Sequence, residues 1–102
     1  MTQAIPLGQT GVALIIRAVR SDGTPEDLST STSLEMSIRG PSGPTQLKQA
    51  SLTSGGGDGM LQYVTQAGDL NEAGKWEYQG HWMKDGAPRH THRGAFRVDP
   101  LL

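Results

Sequence analysis

Clusters of turn-forming residues divide this sequence into short segments, and this punctuation constrains the fold more than any other feature. The chain of 102 residues contains 14 glycines and six prolines. Glycine permits positive φ angles and proline ends hydrogen-bonded ladders, so each cluster is typical of a turn. Segments of the length left between the clusters accommodate β-strands and exclude long helices. The clusters lie at 21–25, 40–44, 54–59, 67–69 and 84–88.

The segments between these turns predict an all-β fold. Apolar residues make up 34% of the chain, which is enough for one modest core and one domain, 1–102. We predict an antiparallel β-sandwich of about seven strands. The most apolar segment, 12–19, is expected at the centre of a sheet. The predicted strands are 4–7, 12–19, 34–39, 45–52, 60–64, 75–83 and 89–98.

One segment, 69–74, has a different pattern. Asp69 and Glu72 have the spacing of a helix capping box, and Gly74 suits the residue that ends a helix. We therefore predict a single helical turn between the two sheets, with Leu70 directed into the core.

The last two predicted strands form a hairpin whose register follows from side-chain alternation. Placing Met83 opposite Arg89 and Trp76 opposite Phe96 separates an aromatic face from a polar one. Tyr78, early on the penultimate strand, matches the tyrosine corner of immunoglobulin-like sandwiches. The predicted core and corner residues are Trp76, Tyr78, Trp82, Phe96 and Leu70. The polar face is predicted to carry Glu77, Gln79, His81, Thr91, Arg93 and Arg97.

Charge is distributed unevenly along the chain. The net charge is −1, but residues 1–74 are acidic overall while 75–98 are basic and contain all three histidines. So small a net charge gives no strong field toward nucleic acid or an anionic membrane, and neither is expected as a partner. The basic last hairpin instead predicts a charged docking face. Its candidate residues are Arg89, Arg93, Arg97 and His81.

The residues that could carry chemistry do not form a recognisable site. His90 and His92 could ligate zinc, but the predicted register directs His81 to the opposite face, and zinc needs three or four ligands. The glycine-rich segment 54–59 lacks the lysine and following helix of a phosphate loop. The chain has no cysteine and no nucleophile-elbow pattern. We therefore predict no metal, no cofactor and no catalytic activity.

The order of the turns and strands carries a resemblance. An apolar strand at 12–19 precedes Asp22-Gly23-Thr24-Pro25, and 34–39 leads into Gly40-Pro41-Ser42-Gly43. There follow 59–63, then Asp69-Leu70 with Ala73-Gly74 and Trp76, and a hairpin through Asp85-Gly86 to Val98. Over 5–98 this resembles the immunoglobulin-like N-terminal domain of phage baseplate upper proteins and related tailed-phage virion components.

The resemblance implies a non-catalytic structural module of a tailed-phage virion, in the baseplate, tail or neck. Such a module would dock to other virion proteins, form a homo-oligomer within the particle, and be located in the virion after assembly in the host cytoplasm. The alternative is a β-sandwich module that binds carbohydrate or a host surface. Exposed aromatic side chains would favour that alternative, whereas the predicted register places both tryptophans inward.

Overall fold

The computed structural model describes residues 3–102, and this part of the chain is all-β, with no helix. Eight strands follow one another within residues 3–102. They are β1 (Gln3–Pro6), β2 (Ala13–Arg17), β3 (Thr32–Arg39), β4 (Gln46–Gln49), β5 (Ser51–Leu52), β6 (Met60–Val64), β7 (Gly74–Lys84) and β8 (Ala87–Asp99).

The strands form two packed sheets. The large sheet has the order β1-β8-β7-β3-β4, and the small sheet has the order β2-β6-β5. The predicted fold class, an all-β sandwich, is confirmed. In immunoglobulin-like sandwiches, whose strands are lettered A to G along the chain, B, E and D are neighbours in one sheet and G, F and C in the other. The orders β2-β6-β5 and β8-β7-β3 match these two arrangements. The large sheet is mixed rather than purely antiparallel, because β1 runs parallel to β8.

The core lies between the two sheets, and both sheets contribute side chains to it. Leu14, Ile16 and Leu61 point inward from the small sheet, while Met36, Ile38 and Phe96 point inward from the large one. Alternation along β2 and β6 produces this pattern, since every second side chain faces the same side of a strand.

Residues 3–102 form eight strands rather than seven because the predicted strand 45–52 is divided at Ala50. This alanine is buried, and its amide donates to the carbonyl of Leu34. On one side of Ala50 the strand pairs with β3 in the large sheet, and on the other it pairs with β6 in the small sheet. A small buried residue thus lets the chain cross between layers.

The expectation that 12–19 lies at the centre of a sheet is wrong. Among the residues that the structure describes, β2 is an edge of the small sheet and pairs with β6. Its alternation is that of a strand with one buried face: Leu14 and Ile16 are buried, whereas Ile15 is 41% exposed.

The predicted helical turn over 69–74 is also absent, because its two carboxylates have other partners. The Asp69 carboxylate accepts from the amide of Gln66, which precedes it, and Glu72 accepts from the amide and hydroxyl of Ser42. Neither is left to cap a helix. Leu70 is nevertheless buried, as expected.

The final hairpin turns more tightly than predicted. Lys84 pairs with Ala87 across a two-residue turn, in which Asp85 and Gly86 have φ values of 53° and 77°. Two successive positive φ angles are the requirement of a type I′ turn, and Asp-Gly is a favoured sequence for it. The hairpin tip is therefore one residue out of the predicted register, and Trp82 lies opposite Arg89.

A β-bulge restores the predicted register in the lower hairpin. Gln79 pairs with Arg93 and His81 with His90, so that Thr91 and His92 together oppose the single residue Gly80. The Gly80 amide donates to the Thr91 hydroxyl at 3.0 Å, and Thr91 is buried rather than on the polar face. From Gln79 down to Trp76 the pairing is as predicted.

Candidate docking face

The outward-facing side chains of the large sheet form the surface that contains most of the predicted docking residues. We call this surface the outer face. It is built from alternate residues of three neighbouring strands, whose pairing sets side chains from β3, β7 and β8 in rows. Its members include Glu35, Ser37, Arg39, Lys75, Glu77, Gln79, His81, His90, Arg93, Arg97 and Asp99.

Basic side chains outnumber acidic ones in the half of the outer face remote from the hairpin tip. Arg39 donates to Glu77 at 2.7 Å, and Arg93 approaches the same carboxylate at 4.0 Å. The hydrogen bond from Arg39 lowers the pKa of Glu77, and the charges of Arg39 and Arg93 lower it further. Arg97 pairs with Asp99 at 3.1 Å. One carboxylate shared by two guanidinium groups leaves a surplus of positive charge.

In the half nearer the tip, three side chains form a hydrogen-bonded chain across three strands. The Ser37 hydroxyl lies 2.7 Å from His81 Nε2, and His81 Nδ1 lies 2.7 Å from His90 Nδ1. The two imidazoles meet edge to face, with ring centroids 4.9 Å apart. At this separation one Nδ1 carries a proton and the other accepts it, since two protons would collide. Burial lowers the pKa of His81, the neighbouring His90 lowers it further, and Glu35 opposes both.

The structure brings together three of the four predicted docking residues. Arg93, Arg97 and His81 all belong to the outer face. Arg89 does not, because it pairs with the buried Trp82 and therefore lies on the inward side of the sheet, at the end of the sandwich. The same shift corrects the histidine prediction: His81 and His90 share a face and touch. The Asp-Gly turn signal in the sequence could have revealed this register.

The predicted core residues occupy the space between the sheets. Trp76 and Phe96 stack with centroids 6.1 Å apart, and the Trp76 indole donates to the carbonyl of Glu72 at 2.9 Å. Trp82 is also buried. Since neither tryptophan is exposed, neither offers the stacking platform that the carbohydrate-binding alternative would use.

Tyr78 does not form the predicted corner. It is partly exposed, and its hydroxyl donates across the sandwich to the carbonyl of Ile15 on β2 at 3.3 Å, rather than to the preceding loop. Its ring lies over Gly94, where a Cβ atom would come within 2.5 Å of Tyr78 Cζ. The tyrosine whose hydroxyl bonds to a loop is Tyr63, through Asp69 in the loop before β7.

Tyr63 belongs to a buried polar cluster that the sequence did not reveal. Its hydroxyl donates to Asp69, which also pairs with Lys48 at 3.1 Å. Burial and the bond to Asp69 raise the pKa of Tyr63 to about 12. Burial opposes ionisation of Asp69, but the donors Tyr63, Gln66 and Lys48 outweigh it and lower the pKa. This cluster joins the edge strand β4 to the loop before β7.

Within residues 3–102, no three histidine or carboxylate side chains converge in a way that could hold a metal ion. None of these residues forms a helix of the length and apolarity needed to cross a bilayer.

Comparison with known proteins found no family model that matches the chain and no significant relative among curated proteins.

Proposed function

We propose that this chain is a non-catalytic structural module of a tailed-phage virion, which docks to neighbouring subunits of a symmetric assembly. The module takes no cofactor, and its partners are other virion proteins and further copies of itself rather than nucleic acid or membrane. It resides in the virion after assembly in the host cytoplasm. Two arguments support this proposal: the motif order that resembles baseplate upper proteins, and the charge distribution over the sandwich.

The outer face supplies the observation that carries the docking role. Its basic half contains Arg39, Lys75, Arg93 and Arg97 against only Glu77 and Asp99. Arg93 and Arg97 are both well exposed, at 64% and 66% of their side chains. Exposed guanidinium groups in one plane favour a partner surface that carries carboxylates.

Acidic side chains lie on the loops at the hairpin-tip end of the sandwich, away from the basic half of the outer face. Asp22 and Asp27 are exposed and Asp58 is partly exposed. Hydrogen bonds from neighbouring residues lower the pKa of each, so they are ionised at neutral pH. Basic and acidic surfaces at different places on one subunit produce a head-to-tail contact, which closes into a ring when the rotation permits.

The test is incorporation of variants into purified particles. We expect Arg93→Glu with Arg97→Glu to reduce incorporation, measured by quantitative mass spectrometry of the virions, while the purified domain keeps its melting temperature. Arg17→Glu, on the outward side of the small sheet, is the matched control for Arg93→Glu alone, because each makes a single charge reversal and only Arg93 lies on the outer face.

Two results would count against the proposal. Absence of the wild-type chain from purified particles would exclude the virion role. Normal incorporation of the double variant, with the wild-type chain present, would remove the outer face from the docking surface.

A further inference from the structure

A second surface feature lies at the hairpin end of the sandwich and adjoins the outer face at His90, which lines both. It is a cleft of about 550 Å³ between the loop that follows β2 and the tip half of the β7–β8 hairpin. The tight Asp85-Gly86 turn shifts the register by one residue and so places Arg89 beside Trp82 at this end. Its lining includes Val19, Arg20, Glu26, Trp82, Lys84 and Arg89.

The charges in this cleft are unbalanced. Glu26, which is 13% exposed, pairs with Lys84 at 3.0 Å and approaches Arg20 at 3.8 Å. Arg89 is exposed and has no hydrogen-bonded or ionic partner within the part of the chain that the structure describes. The carboxylates near Lys84 and Arg20 leave the Arg89 guanidinium with its donors available.

A second and independent observation concerns the Trp82 indole, which lines the same cleft. Trp82 is 5% exposed, yet its indole N–H has no acceptor among residues 3–102. A buried donor without an acceptor loses its hydrogen bonds to water and gains none in return, so such groups are rare in folded proteins. The other tryptophan, Trp76, has its acceptor in the carbonyl of Glu72.

We propose that the cleft binds a carboxylate, presented by the acidic side chain of a peptide segment. The Arg89 guanidinium binds the carboxylate, and the ligand supplies the acceptor that the Trp82 indole lacks. Val19, which is 48% exposed, packs against the aliphatic part of the bound side chain. The proposal does not rest on a virion role, since it concerns the purified domain.

The charge of the cleft favours a carboxylate over a phosphate. Lys84 and Arg20 share Glu26, and both also lie within electrostatic reach of the Asp27 carboxylate, so the charge left uncompensated is that of the Arg89 guanidinium. A monoanionic carboxylate matches it and can take two parallel hydrogen bonds from arginine. A phosphate dianion would bring a second negative charge close to Glu26.

The two indole N–H resonances in a proton–nitrogen NMR spectrum provide the test, because the chain has only two tryptophans. The probe is a blocked Gly-Glu-Gly peptide, its control is blocked Gly-Gln-Gly, and inorganic phosphate forms a third arm. We expect the glutamate peptide to shift the Trp82 resonance in a saturable, salt-sensitive way at millimolar concentration. The Trp76 resonance should stay in place as an internal reference.

Arg89→Gln should abolish the shift, while Arg97→Gln should preserve it. Arg97 is the matched control because it lies exposed on the same strand but on the outer face. An unchanged Trp82 resonance in the wild-type protein would overturn the proposal, as would equal shifts with the glutamine peptide or with Arg89→Gln. A shift with phosphate alone would overturn the assignment of the ligand as a carboxylate.

Discussion

The base and the tip of the β7–β8 hairpin belong to the same two strands but differ in how their side chains are satisfied. At the base, Trp76 stacks on Phe96, lies opposite it in the predicted register, and has its indole hydrogen-bonded. Towards the tip, Trp82 is equally enclosed but its indole has no acceptor within residues 3–102, and Arg89 beside it has no ion-pair partner there. The bulge at Thr91 and His92 separates the two halves.

The difference shows how one local element can divide a hairpin between structural and surface roles. Below the bulge, Trp76, Phe96 and Val98 are buried in the core and Tyr78 packs against it. Above it, the changed register moves one arginine off the outer face and brings two histidines together. Bulges that redirect side chains in this way are common beside functional sites.

The largest expected effect is at the base. We expect Trp76→Ala to lower the free energy of unfolding by about 3–5 kcal/mol, because it removes a fully buried ring that stacks on Phe96. Thermal or denaturant unfolding of the purified domain measures it. Loss of no more than about 1 kcal/mol would show that the aromatic stack is not the centre of the core.

A matched pair of milder variants sharpens the same comparison. Trp76→Phe leaves the Glu72 carbonyl without its donor, whereas Trp82→Phe removes a donor that has no acceptor in the described chain. Trp76→Phe should therefore destabilise the domain more than Trp82→Phe. The opposite order would mean that the Trp82 indole is better satisfied than the structure indicates.

A smaller effect is expected at Gly94, where Tyr78 covers the backbone of β8. In Gly94→Ala, the new methyl group would lie within 2.5 Å of Tyr78 Cζ, so the ring must move away from Ile15 and Phe96. We expect a loss of about 1–3 kcal/mol in unfolding free energy. Ala95→Ser, at the adjacent outward and exposed position, is the control and should change stability little. Equal stability of Gly94→Ala and wild type would contradict the observed packing.

The smallest effect is a pH dependence that arises at the tip. Folding lowers the pKa of His81 from its usual value of 6.5. As the pH falls below 6.5, His81 therefore binds a proton more readily in the unfolded chain than in the folded one. The contribution of His81 to stability is therefore present above pH 6.5 and is lost as the pH falls through the lowered pKa. Denaturant unfolding between pH 7.5 and 5 should show this decline, and His81→Gln should flatten it. An identical slope in the variant would assign the dependence to other groups.

The sequence carried enough information for the elements of this fold but not for all their connections. Alternation along 34–39 and 75–98 identified the strands and the burial of Trp76, Trp82 and Phe96, since a half-buried strand must alternate. The prediction of a helical turn is wrong because Asp69 bonds to Tyr63 and Lys48, and Glu72 bonds to Ser42. Lys48 and Ser42 are remote in sequence from these carboxylates, so no local pattern reveals the contacts.

Only the residues that the hairpin strands β7 and β8 contribute to the candidate docking face were predicted from the sequence. Arg93, Arg97 and His81 follow from alternation along two adjacent strands, whereas Ser37, Arg39 and Glu35 enter from β3, whose pairing with β7 no local pattern specifies. The prediction for Arg89 is wrong because pairing Met83 with Arg89 implies a loop of five residues, whereas the Asp-Gly pair favours a turn of two.

The sequence by itself determined the all-β class, the positions of the turns and the division of most strands into apolar and polar faces. These follow from glycine, proline and side-chain alternation, which act over a few residues. Only the tertiary structure decided the crossing at Ala50, the bulge opposite Gly80, the contact between His81 and His90, and the cleft beside Trp82. Each of these depends on which strands become neighbours, and that choice is made by packing the whole core rather than by any single segment.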